Sequence, residues 1–361
     1  MRILEVSESF ATGTMEIICA IAAGAVEQGH RLAIAYGKRP ETPTDLRAEV
    51  PREVELIELP WTGRTVRNQL RTVPALRRLC RDWRPDVIHL HSSFAGLLGA
   101  LSIARIAPSI YTPHGYSFLS AKSGVTRRVY RLAERLVARR VTVLGAVSES
   151  EARQAREVGA RSVVVVPNGI ADLDPDRLSL ERRPPPRQRP LVVSMGRIVP
   201  ARRPRETTRI LQAVSDSADT LWIGGPGADL SLEDDVRAAG IEVTGWMDRD
   251  RAVERLAEAT ALLNWSAWDS HPLSVLQAMA HDVAVIASDI EPNSDLVGKA
   301  QVASSEEAAI ELLRAALTDP GTREEMLAEQ RRRRSAFGQE RMVSDWLRLY
   351  SRLASEDAGG D

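Results

Sequence analysis

The sequence predicts an α/β protein built from two doubly wound domains with parallel sheets, and three observations support this. Short apolar runs alternate with amphipathic segments along most of the chain, beginning with Arg2–Ser7. The alternation starts again at Leu191–Met195, after a proline-rich stretch. The length of 361 residues exceeds what one ordinary hydrophobic core requires and suits two domains.

The first domain opens with a strand–helix–strand unit, which indicates a parallel sheet. After the first strand come a loop that contains Gly13, an apolar helix to about Glu27, and a second strand at Leu32–Tyr36. Further strands are predicted at Val54–Leu59, Val87–Leu90, Ser109–Thr112, Val141–Ala146 and Val163–Val166. Helices are predicted between them at about 65–82, 94–105, 124–139 and 149–157. The last of these begins with a capping box, formed by Ser148 and Glu151.

The second domain repeats the alternation. After Leu191–Met195, strands are predicted at Thr220–Ile223, Glu242–Thr244, Ala261–Asn264 and Val283–Ala287. Helices are predicted at about 204–215, 232–239, 250–259 and 272–280, and an amphipathic helix at Gln339–Leu353. We therefore expect domains at 1–170 and 191–338, a linker at 171–190 that prolines stiffen, and a last helix at 339–355. The acidic tail Ser355–Asp361 is expected to fray.

Composition narrows the class of protein. No apolar run approaches the roughly 20 residues that span a bilayer. Residues 1–6 enter a strand at once, so we expect no signal peptide. Cys19 and Cys80 lie in apolar helical contexts and are expected to be reduced, buried thiols in the cytoplasm. No Cys or His cluster has the spacing of a metal site, so no metal is expected.

Charge is distributed unevenly, although the net charge is only −1. Residues 1–171 hold 24 Lys and Arg against 16 Asp and Glu, whereas the remainder holds 24 against 33. Residues 61–140 alone hold 15 basic side chains and three acidic ones. Such a patch attracts phospholipid headgroups, a lipid-linked phosphate or nucleic acid. The alternative is a solvated face in a chain that favours arginine over lysine.

The segment Asn264–Asp289 is the most informative part of the sequence. A strand leads into a polar loop, Pro272 opens a helix, and a new apolar run follows at Val283–Ala287. Proline suits the first helical position because its missing N–H would have no partner there. The loop before Pro272 therefore lies against a helix N-terminus, which favours an anion such as a phosphate group.

This segment resembles the signature of retaining glycosyltransferases with the GT-B fold, family 4 in particular. In that family two glutamates lie eight positions apart, in a context like S-x-x-E-G-F-P-L-S-V-L-E-A-M-A. Nine positions match here: Ser266, Pro272, Leu273, Ser274, Val275, Leu276, Ala278, Met279 and Ala280. The two acidic positions hold Asp269 and Gln277, so the motif is divergent. The resemblance implies two Rossmann-like domains with the ligand in the cleft between them. It implies that 1–170 is the acceptor-side domain, that 191–338 binds the nucleotide sugar, and that the C-terminal helix 339–355 crosses back onto the first domain.

The resemblance assigns the donor diphosphate to two arginines. The family pattern here is G-R-x-x-x-x-K, in which an arginine and a lysine hold the diphosphate. Gly196 and Arg197 match, and Arg202 stands at the lysine position. Guanidinium groups suit a diphosphate because their fork donates two hydrogen bonds to paired oxygens. Solvent-exposed arginines without a ligand are the alternative.

The resemblance also implies contacts to the donor sugar and nucleoside. Asp269 is implied to meet the sugar hydroxyls, and Gln277 to accept hydrogen bonds from the ribose diol. His114, in a segment similar to the family's T-x-H-G, is implied to face the sugar. The remaining donor-binding residues are expected to be Gly13, Gly224, Trp246, Met247, Leu273 and Ser274. For Trp246, packing in the core is an equal alternative, and His89 and His91 either shape the acceptor side or only pack.

Two substitutions leave the activity open. Asp269 keeps the charge of the family's first glutamate on a shorter side chain, and Gln277 is a neutral acceptor, weaker than a carboxylate. We expect Gln277 to lower nucleotide affinity by about 1–2 kcal/mol. The sequence therefore fits an active transferase, and it also fits a degenerate scaffold that binds a sugar nucleotide or a partner transferase. Nucleic-acid binding has no recognised motif in its support.

The expected activity is transfer of a sugar from a nucleoside diphosphate such as UDP or GDP, with retention and without a metal or other cofactor. Expected partners are the nucleotide sugar and a polysaccharide or lipid-linked acceptor, in the cytoplasm or peripherally at the inner membrane face. The basic helical stretch Thr126–Arg140, with Val129, Leu132, Leu136 and Val137, is expected to contact anionic lipid. Its alternative is an apolar stripe that faces the core.

Overall fold

The structure, a computed structural model, describes residues 1–39, 41–61, 66–121, 123–173, 187–227 and 229–358. The chain divides into two compact units, one formed by Met1–Asn168 with Glu340–Asp361 and the other by Gly169–Gln339. Residues 174–186, which include most of the predicted linker, lie outside the described residues, as do the last residues of the predicted acidic tail.

A parallel sheet of seven described strands forms the centre of the first unit. The strands are β1 (Arg2–Ser7), β2 (Arg31–Tyr36), β3 (Glu55–Glu58), β4 (Val87–His91), β5 (Ser109–Thr112), β6 (Val143–Ala146) and β7 (Val163–Val165). They lie in the order β3-β2-β1-β4-β5-β6-β7. The central strands β1, β4 and β5 are almost entirely buried, because helices cover both faces of a parallel sheet.

Helices alternate with these strands along most of the first unit, as in a doubly wound fold. They are α1 (Thr12–Glu27), α2 (Val66–Trp83), α3 (Ser93–Ser102), α4 (Gly124–Ala138) and α5 (Glu149–Glu157). Ser148 caps α5 as predicted, since its hydroxyl accepts from the backbone N–H of Glu151 at 3.2 Å. Helix α1 begins at Thr12, so Gly13 lies in its first turn, whereas the sequence placed Gly13 in a loop.

The second unit has the same architecture. Its strands are β8 (Leu191–Met195), β9 (Asp219–Ile223), β10 (Glu242–Val243), β11 (Ala261–Asn264), β12 (Ala284–Ser288) and β13 (Val302–Ala303), in the order β10-β9-β8-β11-β12-β13. Its helices are α6 (Pro204–Ala213), α7 (Ser231–Ala238), α8 (Arg249–Ala257), α9 (Leu273–Ala280), α10 (Glu291–Val297), α11 (Glu306–Thr318) and α12 (Pro320–Arg334). The predicted pair of parallel α/β domains is confirmed.

The last helix, α13 (Gln339–Ala358), packs within the first unit. Trp346 lies against Gly145 of β6, where a Cβ atom would come within 2.5 Å of the indole, so a glycine is required. Tyr350, one turn later, is fully buried and reaches the side chain of Glu5 on β1. The helix continues to Ala358, so the prediction that the chain frays from Ser355 was wrong.

Candidate active site

Each sheet reverses its strand order at one point, between β1 and β4 in the first unit and between β8 and β11 in the second. The loops that leave two such strands diverge and open a crevice at their carboxyl ends, which is the usual ligand site in doubly wound sheets. Gly13 follows β1, Arg197 and Arg202 follow β8, and Asp269 follows β11. The fold therefore brings residues of the predicted site to these two points, each within its own unit.

In the second unit, two glycines hold the ends of β8 and β9 close together. Gly196 and Gly224 both have positive φ, 123° and 136°. A Cβ atom on Gly224 would lie 2.3 Å from the carbonyl oxygen of Gly196, so no larger residue fits. The same carbonyl accepts a hydrogen bond from Trp222 Nε1 at 2.9 Å. These contacts fix the backbone from which the segment with Arg197 and Arg202 departs.

Arg202 is held by three side chains at the carboxyl end of β11. Its Nη1 donates to Asn264 Oδ1 at 2.5 Å and to Ser266 Oγ at 3.0 Å. Nη1 also lies 3.2 Å from Asp269 Oδ2, and the Arg202 side chain is only 21% exposed. Among the residues that the structure describes, its Nε and Nη2 have no hydrogen-bond partner. This edge of the guanidinium fork has the geometry that grips paired anionic oxygens.

A second layer of polar side chains fixes the groups that hold Arg202. Asn264 Nδ2 donates to Asn293 Oδ1 at 3.0 Å, and Asn293, at the start of α10, is fully buried. The backbone N–H of Ser266 donates to Ser288 Oγ at 3.0 Å. Asn293 Nδ2 in turn donates to the carbonyl oxygen of Ser288 at 2.9 Å. Because these bonds are buried, they restrict Arg202 to one orientation.

The alternative prediction, that the arginines of this segment are solvent-exposed and bind no ligand, describes Arg205, a neighbour of Arg202. Arg205 is exposed and pairs with Asp235 at 3.4 Å. Arg202 differs because its backbone carbonyl accepts from Thr207 Oγ1 and its side chain points into the Asn264 network. Arg202 and Arg205 are therefore a natural pair for a controlled comparison.

Asp269 combines two roles in this arrangement. Its Oδ2 faces Arg202, and its Oδ1 accepts from the backbone N–H of Ser270 at 2.8 Å. His271, in place of the family's aromatic residue, is buried and packs edge-on against Phe337 at 5.3 Å between ring centroids. Burial lowers the pKa of His271 to about 3, so its ring is neutral. The loop is thus closed by an apolar contact on one side and by the Arg202 ion pair on the other.

Helix α9 presents its N-terminus after this loop. Pro272 is the N-cap, with φ −70° and ψ 117°, and the helix begins at Leu273, one residue later than predicted. The Ser274 hydroxyl is buried and has no hydrogen-bond partner among the described residues. A buried hydroxyl without a partner costs free energy unless a ligand or water satisfies it. Gln277 lies one turn further on and is also buried.

Trp246 lies at the surface of the second unit, so its alternative of core packing is wrong. Its side chain is 44% exposed, whereas Trp222 is the tryptophan buried in this region. The Arg197 guanidinium lies over the Trp246 ring, 5.9 Å from its centroid, and Met247 beside it is half-buried. A Cβ atom on Gly225 would lie 2.6 Å from the Trp246 ring, which shows how closely the ring follows this turn.

In the first unit, strained backbone marks the corresponding point. Thr12, Ser92 and His114 all have positive φ, at 52°, 72° and 50°, although none is glycine. Such residues cost of the order of 1–3 kcal/mol each and concentrate at functional sites. The hydroxyl oxygens of Ser7 and Ser92 are buried there without a hydrogen-bond partner among the described residues.

A buried polar cluster lies directly behind His114. His114 Nε2 is 2.9 Å from His91 Nδ1, and His91 Nε2 is 2.6 Å from Glu5 Oε2. Tyr350 donates to Glu5 Oε1 at 2.9 Å, and Tyr350 OH is also 2.6 Å from His89 Nδ1. The register explains the cluster, since His89 lies beside Glu5 across β4 and β1.

Burial governs the ionisation of this cluster. It raises the pKa of Glu5 to about 8, against a smaller opposite effect of the Tyr350 hydrogen bond. It lowers the pKa of His91 to about 3, and it lowers the pKa values of His89 and His114 well below the ordinary value. The histidines are therefore neutral at physiological pH, and Glu5 is the group that exchanges a proton near neutrality.

The donor atoms of Glu5, His89 and His91 all lie within 4.8 Å of one another, which suggests a metal site at first sight. The hydrogen bonds argue against it. His91 Nε2 is engaged with Glu5, and the two ring nitrogens of His89 are engaged with Tyr350 and with Thr112 Oγ1, at 2.6 and 2.8 Å. An ion would have to displace these bonds, so we assign the cluster to hydrogen bonding.

Glu151 ties the His114 turn to α5. Its Oε1 accepts from the backbone N–H of Gly115 at 2.7 Å, and its Oε2 accepts from Val147 N–H at 2.9 Å. The structure shows that this carboxylate reaches the residue after His114, which holds that turn in its strained conformation.

Several of these residues escaped the sequence reasoning. Asn264, Asn293 and Ser288 gave no signal, because small polar residues at strand ends are common. Glu5 did give one, since it is a charged residue in the middle of an otherwise buried strand. His89 and His91 were considered only as packing or acceptor-side residues, and the sequence did not connect them with Glu5 or Tyr350.

Helix α4 has an exposed apolar stripe. Val125, Val129, Leu132 and Leu136 are exposed, Leu132 to 62%, whereas Val137 is buried, so the predicted stripe is correct except at Val137. The inner face is anchored by Glu134, which accepts from Tyr111 OH at 3.0 Å and from Ser93 Oγ at 2.9 Å. Among the described residues, no helix is both long and apolar enough to cross a bilayer.

Comparison with known protein families agrees with the observed fold. Residues 12–169 match the family described as Glycosyl transferase 4-like domain, and residues 189–319 match Glycosyl transferases group 1. The chain belongs to the GT-B glycosyltransferases. The fold class and the assignment to the GT-B glycosyltransferases are thereby confirmed.

The similarity of this GT-B glycosyltransferase to individual proteins is moderate. It is 24% identical over 262 residues to the UDP-Gal:α-D-GlcNAc-diphosphoundecaprenol α-1,3-galactosyltransferase of Escherichia coli, covering 64% of this chain and 64% of that protein. Sucrose-phosphate synthase of Thermosynechococcus elongatus superposes with a TM-score of 0.82 at 16% identity, covering 99% and 100% of the two chains. HepE of Anabaena, solved with UDP and glucose, superposes with a TM-score of 0.78 at 17% identity, covering 98% and 100%.

Proposed function

We propose that the protein transfers a sugar from a nucleoside diphosphate donor, with retention of configuration, to a glycan or lipid-linked acceptor. The observation that carries this proposal is the Arg202 clamp: a guanidinium fixed through Nη1 by Asn264, Ser266 and Asp269, with its Nε–Nη2 edge left for a ligand. A mostly buried cation held so firmly suits an anion whose charge increases during the reaction.

Arg202 and the start of α9 would stabilise the leaving diphosphate together. The Arg202 edge supplies two donors, and the free amides at Leu273 and Ser274 with the buried Ser274 hydroxyl supply others at the positive end of the helix dipole. Arg197 adds a second positive charge beside Trp246. Because these groups are fixed before the donor binds, they stabilise the developing charge without reorganisation and without a metal ion.

Asp269 and His114 are our candidates for the residues that hold the donor sugar. Asp269 also orients Arg202, so its carboxylate keeps one oxygen committed to the diphosphate side of the site. The acceptor hydroxyl would attack the face that the diphosphate leaves, and a phosphate oxygen would take its proton. Gly13, in the first turn of α1, would offer backbone amides to the donor.

Two observations support the proposed acceptor. The Escherichia coli relative carries a diphosphoundecaprenol-linked acceptor in its name. Helix α4 of the present chain exposes Val129, Leu132 and Leu136 beside several arginines, and Glu134 holds its inner face in place. We propose that this face rests on the anionic cytoplasmic leaflet, where a lipid-linked acceptor would be available.

The catalytic proposal is tested by donor turnover. Purified protein is incubated with a panel of UDP- and GDP-sugars and lipid-linked acceptors, with and without EDTA, and release of the nucleoside diphosphate is followed. We expect release from one donor, unaffected by EDTA, and a product with the anomeric configuration of the donor by NMR. If no donor in the panel yields a nucleoside diphosphate and neither UDP nor GDP binds, the proposal is contradicted and a degenerate scaffold is favoured. An inverted product contradicts retention alone.

The membrane proposal is tested by vesicle sedimentation. The protein is expected to sediment with vesicles that contain anionic lipid and to remain in the supernatant with neutral vesicles. The double variant Val129→Ser, Leu132→Ser should lose most of this binding. The matched control is Leu230→Ser, a leucine of similar exposure in the second unit, which should bind as the parent does. Equal binding to neutral and anionic vesicles contradicts the proposal.

A further inference from the structure

A continuous line of hydrogen bonds runs from Glu5, in the centre of the first sheet, to the partly exposed His114. The line passes from Glu5 Oε2 to His91 Nε2 at 2.6 Å, and from His91 Nδ1 to His114 Nε2 at 2.9 Å. Glu5 and His91 are fully buried. His91 is therefore bonded through both of its ring nitrogens and His114 through Nε2. The position of the proton on one group thus constrains its position on the next.

Only one arrangement of protons satisfies every bond when Glu5 is ionised. The carboxylate accepts from Tyr350 at Oε1 and from His91 Nε2–H at Oε2. A neutral His91 then has no proton on Nδ1, so it accepts from His114 Nε2–H. A neutral His114 in turn has no proton on Nδ1, and this atom presents a lone pair.

Protonation of Glu5 reverses the whole line. The carboxyl group now donates from Oε2 to His91 Nε2, so the neutral His91 carries its proton on Nδ1 and donates to His114 Nε2. A neutral His114 then carries its proton on Nδ1. When that Nδ1 proton departs, the His91 proton moves to His114 Nε2 and the Glu5 proton moves to His91 Nε2. The charge left behind lies on Glu5.

We propose that Glu5 and His91 form a proton wire that sets whether His114 Nδ1 acts as a hydrogen-bond donor or as an acceptor. Glu5 and His91 are positioning residues in this scheme, because they act only through His114. Among the described residues, His114 is bonded through Nε2, and the ring nitrogen at the open end of the wire is Nδ1.

The groups around Glu5 keep the wire to a single exchangeable proton. His89 and His91 face it from β4, Tyr350 faces it from α13, and His114 follows behind His91. His89 donates from Nδ1 to Tyr350 and accepts from Thr112 at Nε2, so it stays in one tautomer in both states. Burial lowers the pKa values of all three histidines and raises that of Glu5 to about 8. The proton that leaves near neutrality therefore belongs to the wire as a unit.

The consequence for catalysis rests on the proposed function, in which His114 meets the donor sugar. A sugar hydroxyl can both donate and accept, so His114 would bind it in either state, with opposite direction of the hydrogen bond. His114 stays uncharged in both states, so it does not attract the anionic diphosphate to the position of the sugar. The wire would thus adjust the polarity of the His114 contact without changing its geometry.

The tautomers are tested directly on the free, full-length protein by NMR. Histidines labelled with ¹⁵N report on each ring nitrogen whether it is protonated, and single histidine substitutions assign the signals. Between pH 6 and 10 we expect His91 and His114 to change together from Nδ1–H to Nε2–H, with one shared midpoint. His89 and His271 should keep one tautomer over the same range.

Two variants connect the change to Glu5. In Glu5→Gln, which removes the ionisable group, the tautomers of His91 and His114 should no longer depend on pH. In Tyr350→Phe, which loses the bond that lowers the pKa of Glu5, the shared midpoint should move to higher pH. The second variant keeps the test decisive if the first one does not fold.

A His114 ring that keeps one tautomer from pH 6 to 10 in the parent protein overturns the proposal. So does a tautomer change that survives in Glu5→Gln. Because the measurement needs no donor, acceptor or turnover, its failure is distinct from a failure of the proposed transferase activity.

Discussion

The two units share one architecture but place different chemistry at the point where their strand order reverses. In the first unit Glu5 on β1 and His91 on β4 lie at that point, and His114 is hydrogen-bonded to His91. Burial keeps the two histidines uncharged, and Glu5 exchanges a proton near neutrality. In the second unit it holds Arg202 and Asp269, an ion pair that remains partly exposed. The sheet order alone decides where these groups lie, whereas burial decides whether they carry charge.

This difference separates two tasks. Permanent charges suit a leaving diphosphate, because its oxygens need the same stabilisation at every pH at which the protein works. Neutral groups whose hydrogen-bond direction can change suit the hydroxyls of a sugar or an acceptor. The comparison therefore predicts that substitutions in the second unit reduce activity uniformly with pH, and that substitutions in the first unit change the response to pH.

The largest effect is expected for Arg202→Ala. Removal of a preorganised donor to a developing anion should reduce transfer on the order of 10²–10³-fold. Its control is Arg205→Ala, which removes an exposed arginine paired with Asp235 and should retain the parent rate. Release of the nucleoside diphosphate under saturating donor measures both. Equal rates for the two alanine variants would remove Arg202 from the site.

An intermediate effect is expected on the pH dependence of stability. The pKa of Glu5 rises from its ordinary value of 4.5 to about 8 on folding, so the folded state keeps the proton to a higher pH than the unfolded state does. The stability that Glu5 contributes is fully present below pH 4.5 and is lost as pH rises through 8. The histidines work in the opposite sense, but their contribution is complete above about pH 6.5. Between pH 6.5 and 8 we expect the free energy of unfolding to fall by about 2 kcal/mol.

Hydrogen exchange of the β1 and β4 amides as a function of pH measures this loss in the first unit. Glu5→Gln should abolish it above pH 7. The control is Glu134→Gln, since burial raises the pKa of Glu134 only to about 7, so the decrease between pH 7 and 8 should remain. A constant protection of β1 from pH 6.5 to 8 in the parent would mean that Glu5 is ionised throughout.

The smallest effect is expected for Trp246→Ala. The Arg197 guanidinium lies over this exposed ring, and such contacts contribute about 0.5–1 kcal/mol at partly exposed sites. We expect binding of UDP or GDP to weaken by a factor of about 2–5. Calorimetry measures it, with Leu230→Ala as a control in the same unit. A larger loss would mean that the ring contacts the nucleotide itself.

Much of the fold followed from sequence, and particular elements show why. Strands such as Ser109–Thr112, Leu191–Met195 and Ala261–Asn264 were predicted with their observed bounds, because buried parallel strands leave a dense apolar run. The helices α10, α11 and α12 were not predicted. Helix α12 shows the reason, since it ends in four consecutive arginines and has only a narrow apolar stripe, so its periodicity is weak.

The residues of the site also divide into those that the sequence could identify and those that it could not. Arg202, Asp269 and Ser274 could be named from the sequence because each lies within a short recognisable motif, Arg202 in the one that begins at Gly196 and the other two in the segment Asn264–Asp289. Their partners Asn293 and Ser288 could not, since nothing in the sequence connects Asn293 to Asn264, which lies 29 residues before it. Glu151 was identified as part of a cap, and only the fold brought its carboxylate to the backbone of Gly115.

The sequence by itself determined the two parallel sheets, the loops at their carboxyl ends and the residue types available for binding an anion, because these depend on local periodicity and on short motifs. Tertiary structure alone decided that Tyr350, 345 residues away, would reach Glu5 and that Arg202 would be fixed through a single nitrogen. Such contacts arise from strand register and burial, which also set the pKa values, and neither quantity is written in the neighbouring residues of the chain.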